Sequence, residues 1–189
     1  MDAFGYLSVL ISIIVGLAVT QVLQGFRGLM LARSRVRMYW PALVWAALVL
    51  VICVQVWWAM FDLSQRPVAR WTFLDFSLVL LQTVPLYLMA GLLLPDVDIE
   101  HGLDLREHYY AHHRWFFSLV VLLLLVSLVK VRVLIGHWPA PEDTAFQLAF
   151  IVGAAIGAWT RREWYHQLQA PLALIGIVAY IVALFTHLQ

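Results

Sequence analysis

Six runs of apolar residues, most of them long enough to cross a lipid bilayer, divide this chain. A helix needs about 20 residues to cross ~30 Å of hydrocarbon, because each residue adds about 1.5 Å. The runs cover residues 4–26, 40–61, 72–94, 115–135, 145–159 and 171–188, and the fifth is the shortest. The sequence therefore predicts an all-α fold over residues 1–189, a single integral membrane bundle of about six transmembrane helices.

The composition excludes an ordinary soluble domain. Apolar residues make up 63% of the chain and charged residues 12%, whereas soluble domains carry about 25% charged residues. The net charge is +1, and the basic residues lie in short clusters rather than along one stripe, so nucleic acid is not an expected partner. The single cysteine, Cys53, forms no intramolecular disulfide. The expected partner is the lipid bilayer.

Basic residues favour one orientation in the membrane. With the N-terminus outside the cell, eight of the twelve Lys and Arg residues fall on the cytoplasmic side and four on the outer side. The cytoplasmic set is Arg27, Arg33, Arg35, Arg37, Arg106, Arg114, Arg161 and Arg162; the outer set is Arg66, Arg70, Lys130 and Arg132. The sequence thus predicts an inner-membrane protein with both termini on the non-cytoplasmic side. An error over the short fifth run would reverse the C-terminal half.

Small and polar residues recur in two of the predicted helices. In the first run they follow at steps of four, and in the fifth they form a GxxxG pair. These rows are Ser8, Ser12, Gly16, Thr20 and Gln24, and then Gly153 and Gly157. Such rows let helices approach closely, so we expect helix packing and a homo-oligomer. The alternative is a pathway lined by the first row, with Gln21, Gln55 and Gln82 nearby.

Few ionisable residues fall near or within the apolar runs, and burying them is costly. Asp75 lies about one turn inside the third run, and Lys130 and Arg132 lie near the outer end of the fourth. Because consecutive spans are usually neighbours, we expect Asp75 to pair with Lys130 or Arg132, with Gln82 close by and Arg70 as a competing partner. The alternative is a protonatable carboxylate used in transport.

A polar stretch rich in histidine precedes the fourth run. Asp104 and Glu107 predict a helix start near Leu105. On that helix His108 and His112 share a face and His113 is adjacent, while Glu163 and His166 have an ExxH spacing before the sixth run. Imidazole and carboxylate groups at such spacings bind transition metals, so these five residues are the candidate metal or haem site. The alternative is a solvated boundary between water and lipid.

The string from His108 to His113, His-Tyr-Tyr-Ala-His-His, resembles one histidine box of the membrane desaturases and hydroxylases. That resemblance implies a metal-dependent membrane enzyme. The families carry three such boxes and eight or more histidines, and this chain has seven histidines in all, of which His137 and His187 are expected on the opposite side. The resemblance therefore stays local to six residues and does not assign the chain to a family.

Three functions remain open from the sequence. The first is a small channel, transporter or transport-associated subunit with polar residues of spans one to three along its pathway. The second is a metal- or haem-binding membrane enzyme that uses the cytoplasmic His and Glu residues. The third is a structural or accessory subunit. No motif for a nucleophile or a phosphate-binding loop is present.

Overall fold

The structure, a computed structural model, describes residues 3–64, 72–95 and 102–185. Within these residues the chain forms a bundle of six helices, as the sequence predicts, and no closed sheet. The helices are α1 (Ala3–Leu31), α2 (Trp40–Ser64), α3 (Phe73–Leu93), α4 (Leu105–Ile135), α5 (Pro141–Trp159) and α6 (Glu163–Phe185). The all-α fold class is therefore confirmed.

Five of the six helices are long and apolar enough to cross a membrane: α1, α2, α3, α4 and α6. Helix α5 falls short because its first two turns carry Glu142, Asp143 and Gln147. It nevertheless packs along the length of α4. The crossing of α5 through the membrane thus stays a prediction, whereas its existence as a helix of the bundle is confirmed.

Successive helices run in opposite directions. Helices α5 and α6 are antiparallel, since Phe146 stacks on Tyr180 at a ring-centroid distance of 4.7 Å while the Tyr165 hydroxyl donates to the Gly153 carbonyl at 2.8 Å. Helices α2 and α4 are parallel, with Tyr39 beside Tyr109 and Trp45 beside Phe116. The pairing brings the start of α2, the start of α4 and the start of α6 to one end of the bundle.

The two ends of the bundle differ in charge. We call one the arginine end, because exposed arginines cluster there, among them Arg33, Arg35, Arg37, Arg106, Arg161 and Arg162. We call the other the lysine end, which holds Lys130 and the connection between α4 and α5, residues 136–140.

Two short parallel strands, each of two residues, pair at the arginine end. Strand β1 (Val36–Arg37) pairs with β2 (Leu103–Asp104), and the Arg37 guanidinium lies 3.3 Å from the Asp104 carboxylate. The sequence analysis did not predict these strands, because two residues are too few to show an alternating pattern. The pairing holds the α1–α2 connection against the start of α4.

Several boundaries differ from the predicted runs. Helix α1 continues to Leu31, past the predicted end at Phe26, because a helix continues beyond the hydrocarbon into the headgroup zone. Helix α6 begins at Glu163 and contains Pro171, which the sequence analysis placed at the start of the span. The start of α4 is as predicted, since the Asp104 carboxylate accepts from the backbone N–H groups of Arg106 and Glu107.

Glycine at position 25 allows α1 to approach the end of α3. A Cβ atom at Gly25 would overlap the Cβ of Leu94, an atom held by the backbone that cannot swing aside. At Gly16, by contrast, a Cβ would meet no atom within 4 Å. The two glycines lie on the same helix and therefore form a matched pair for a packing test.

We expect Gly25→Ala to destabilise the bundle by about 1–3 kcal/mol, because overpacking forces α1 and α3 apart. Gly16→Ala should leave stability unchanged or raise it by up to about 1 kcal/mol, since alanine is the better helix former. Cys53 is the only cysteine and is 0% exposed, so its reaction with a thiol-reactive fluorophore on heating reports unfolding. Equal unfolding midpoints for the two variants would contradict this account of the α1–α3 contact.

Candidate functional site

Tyrosine and histidine side chains form a buried cluster at the arginine end. The first turns of α4 supply Tyr109 and His113, and the first turn of α6 supplies His166. Their exposed fractions are 2%, 1% and 0%. The predicted proximity of the start of α4 to the loop before the sixth span is therefore present, and it encloses polar groups away from solvent.

His166 joins three segments through both ring nitrogens. Its Nε2 lies 3.0 Å from the carbonyl oxygen of Thr160, and its Nδ1 lies 3.0 Å from the hydroxyl oxygen of Tyr109. A carbonyl can only accept, so in the neutral ring Nε2 donates to Thr160 and Nδ1 accepts from the Tyr109 hydroxyl. Both nitrogens are thus used, which leaves the neutral ring no lone pair for a metal ion.

A second group of polar side chains lies next to this cluster at the arginine end. The hydroxyls of Tyr39 and Tyr110 lie 3.1 Å apart, and the Arg106 guanidinium donates to the Glu163 carboxylate at 2.7 Å. Burial and the hydrogen bond with Tyr110 raise the pKa of Tyr39 well above its usual range, so its hydroxyl stays protonated at neutral pH. The Arg106–Glu163 pair is exposed and ties α4 to α6.

The predicted metal site of His108, His112, His113, Glu163 and His166 is not assembled. His108 Nε2 donates to the Leu92 carbonyl of α3 at 3.0 Å, and His112 Nδ1 donates to the His108 carbonyl at 3.0 Å. Successive helical residues are rotated by about 100°, so His108 and His112 face α3 while His113 faces α6. Among the described residues no three His, Cys, Asp or Glu side chains converge on one point. The described residues thus bring no shared metal site together, and metal or haem binding by this set stays a prediction.

His113 is the member of the set whose second ring nitrogen is buried without a hydrogen bond. Its Nδ1 donates to the Tyr110 carbonyl at 2.7 Å, and its buried Nε2 has no hydrogen-bond partner among the described residues. The ring lies against His166 at a centroid distance of 5.8 Å in a T-shaped contact. One such nitrogen does not make a metal site, because transition metals in proteins take three or four ligands.

The predicted ion pair of Asp75 with Lys130 or Arg132 is not formed either. Asp75 instead completes a capping box at the start of α3, where its carboxylate accepts from the backbone N–H of Thr72 at 2.9 Å. A carboxylate is favourable there because the first N–H groups of a helix have no partner within it. The competing partner, Arg70, lies outside the described residues.

Lys130 lies partly buried inside the bundle, and its ammonium donates to the Oε1 atom of Gln82 at 2.5 Å. Arg132, two residues along, is exposed and donates to the carbonyl of Gly136 at its own helix end. No described carboxylate lies within ion-pair distance of Lys130. The sequence analysis expected Gln82 close to these residues, and Gln82 is the hydrogen-bond partner of Lys130.

A cavity of about 260 Å³ opens beside this pair, and helices α2 to α6 all contribute to its lining. Its lining is polar at the lysine end and apolar towards the arginine end. The polar members are Gln55, Gln82, Ser127, Lys130, Gln147 and Tyr180, and the apolar ones include Trp45, Val49, Ile52, Phe116, Val120 and Leu123. Ser127, Gln147 and Tyr180 were missed by the sequence analysis, because an isolated polar residue in an apolar run does not reveal which neighbour it faces.

The polar row of α1 does not line this cavity. Ser12, Gly16, Thr20 and Gln24 are exposed on the outer surface of the bundle. Of the residues named with that row as a pathway, Gln55 and Gln82 line the cavity instead. The row remains available to another helix, and the homo-oligomer stays a prediction.

The GxxxG pair of α5 packs inside the subunit. The Gly153 carbonyl accepts from the Tyr165 hydroxyl and from the side-chain amide of Gln169. A Cβ atom at Gly157 would press on Gln169 and Phe117. The pair thus fits α5 between α4 and α6, which agrees with helix packing as its use.

Comparisons of this chain with protein-family models, curated proteins and solved structures find no match. The class of protein therefore follows from the chain itself. Five helices with the length and apolarity of membrane spans, packed in one all-α bundle, are those of a helical membrane protein.

The buried cluster predicts unequal effects of two substitutions. Tyr109→Phe leaves Nδ1 of His166 buried without a donor, and we expect a loss of about 1–3 kcal/mol. Glu163→Gln alters a solvent-exposed pair and should change stability much less. Thermal unfolding followed through Cys53 measures both, and a larger loss for Glu163→Gln would contradict the role given to the Tyr109–His166 hydrogen bond.

Proposed function

We propose that this protein is a small transporter, or the transport subunit of a complex, in the inner cell membrane. The cavity at Lys130 would form part of its pathway. The observation that carries the proposal is a lysine inside an apolar bundle whose described partner is a neutral carboxamide. Placing a charge there is costly, and membrane proteins retain such charges mainly along substrate and ion pathways.

The charge of the cavity favours an anion. The ammonium of Lys130 offers only hydrogen-bond donors. It forms no ion pair with the described carboxylates at the starts of α3 and α5, which are Asp75, Glu142 and Asp143. An anion that entered the cavity would supply the missing opposite charge. A cation would meet repulsion in a region of low dielectric.

Three aromatic rings favour a gated transporter over an open channel. Trp45, Phe116 and Phe117 lie between the cavity and the arginine end, with ring-centroid distances of 5.1–5.4 Å between each pair. Beyond them lies the Tyr109–His166 cluster, since Phe117 is 5.5 Å from the His166 ring. A solute in the cavity could reach the arginine end only if these rings moved apart.

The bundle also supports a specific orientation, with the arginine end in the cytoplasm. In a background with Cys53→Ala, we expect His137→Cys to react with an impermeant thiol reagent in intact cells or spheroplasts. Arg161→Cys should react only after the membrane is opened. Both positions are exposed and lie on opposite sides of α5 in the chain.

The same pair of variants tests whether α5 crosses the membrane. Labelling of both positions from outside would mean that α5 does not cross. Labelling of position 161 alone would reverse the proposed orientation.

Transport itself is testable in proteoliposomes on a solid-supported membrane, where a jump in anion concentration produces a capacitive current. We expect a protein-dependent current with at least one anion of a panel that includes chloride, acetate, benzoate and decanoate. Lys130→Gln should lower that current at least about tenfold, as expected for loss of a charge-assisted hydrogen bond. Arg132→Gln removes an exposed cation two residues away and should leave it unchanged.

Absence of any protein-dependent current would contradict the transport proposal. An accessory subunit, which docks through the exposed row of α1, would then be the better account.

A further inference from the structure

The cavity has two unlike halves along its length. Residues of α4 line it from Phe116 to Lys130, a rise of ~21 Å along the helix axis. The half towards Phe116 is lined by aliphatic and aromatic side chains, whereas the half at Lys130 carries an ammonium and several carboxamides. A ligand that matches both halves has one polar end and one apolar end.

The polar half holds unsatisfied hydrogen-bonding capacity. An ammonium has three N–H donors, and Lys130 uses one on Gln82. Gln147 is 8% exposed, and its Oε1 atom has no hydrogen-bond partner. Rotation about the last side-chain torsion of Gln is only weakly restricted. A rotation of 180° exchanges the amide oxygen with the NH₂ group, which then presents two N–H donors where Oε1 lay. Two residues therefore offer donors to one acceptor group.

The number of cations that line the cavity limits the negative charge that the polar end of a ligand can carry. Lys130 is the only cation that lines the cavity among the described residues. A headgroup with two negative charges would keep one of them unpaired in an apolar surrounding, which is costly. A single carboxylate matches the one ammonium, and its two oxygens accept from both Lys130 and a turned Gln147.

The outer surface supplies a route from the bilayer. A largely apolar groove lies on the outside of α2 and α6, and Leu50, Val54 and Ile181 are among its lining residues. Gln55 lines both this groove and the cavity, so it forms the wall between them. A molecule dissolved in the bilayer would meet this wall from the side, without first entering water.

We propose that the cavity binds a monocarboxylic acid with an unbranched apolar tail, with the carboxylate at Lys130 and Gln147 and the tail directed towards Phe116. This inference rests on the proposed transport function and names its substrate class. The volume of about 260 Å³ suits one slender chain and is below the range of about 300–1,000 Å³ that drug-sized ligands fill. A lipid with two chains would not fit.

Photolabelling of the full-length protein in nanodiscs tests the proposal. The probe is decanoic acid with a diazirine at the end of its tail. We expect cross-links to map to the apolar half of the cavity, at Val49, Ile52 or Val120. Unlabelled decanoate should prevent labelling, whereas decanol, decyltrimethylammonium and acetate at the same concentration should not. Labelling confined to the outer surface, or equal competition by decanol, would overturn the proposal.

Variants of the lysine separate charge from packing. Lys130→Gln keeps a partner for Gln82 but removes the charge, and should require at least about tenfold more decanoate for half-maximal protection. Lys130→Arg keeps the charge and should protect as the wild type does, and so should the control Arg132→Gln. Unchanged protection in Lys130→Gln would overturn the assignment of the headgroup. If Lys130→Gln does not fold, the competitor series on the wild type decides alone.

Binding and transport fail separately. Lysine-dependent labelling with no current for any anion would keep the ligand class and overturn transport. A Lys130-dependent current for other anions, with no specific labelling by the decanoate probe, would keep transport and overturn the ligand class.

Discussion

The bundle depends on what surrounds helix α4, because this helix packs against α2, α3 and α5 at once and meets α6 through its first turns. Each residue along it is rotated by about 100° from the last, so adjacent side chains serve different neighbours. His108 hydrogen-bonds α3, Tyr109 hydrogen-bonds α6, and Lys130 reaches Gln82 of α3 beside the interior cavity. A helix in this position joins polar groups on both sides of the bundle.

Two charged side chains of the bundle, Asp75 and Lys130, form hydrogen bonds with uncharged partners rather than with each other. Asp75 uses the backbone of Thr72, and Lys130 uses the carboxamide of Gln82. The two opposite charges therefore stay apart, although they lie on neighbouring helices. This separation leaves the lysine able to meet an anion from outside the chain, and it is the basis of the proposed transport function.

The arginine end holds the contacts that tie the helices together, whereas the lysine end holds the cavity of the proposed function. At the arginine end, the paired strands, the Arg106–Glu163 contact and the Tyr109–His166 hydrogen bond tie the starts of α2, α4 and α6 together. Three aromatic rings separate that region from the cavity. The lysine end instead contains a cavity with an unpaired carboxamide at Gln147. Empty volume and unused donors are unfavourable for packing, and both would be compensated by a bound solute.

The sequence by itself determined the fold class, the six helices and the start of α4, because apolar runs of bilayer length and a capping carboxylate act through local geometry. It also named Gln55, Gln82 and Lys130, which line the cavity. Only the tertiary structure decided the partners. The three histidines of α4 in the predicted metal set divide between two faces of that helix, Gln147 turns inward, and the small row of α1 faces outward. Periodicity gives the face of a helix on which a residue lies, but it does not give the neighbour that the face meets, since that depends on how six helices pack together.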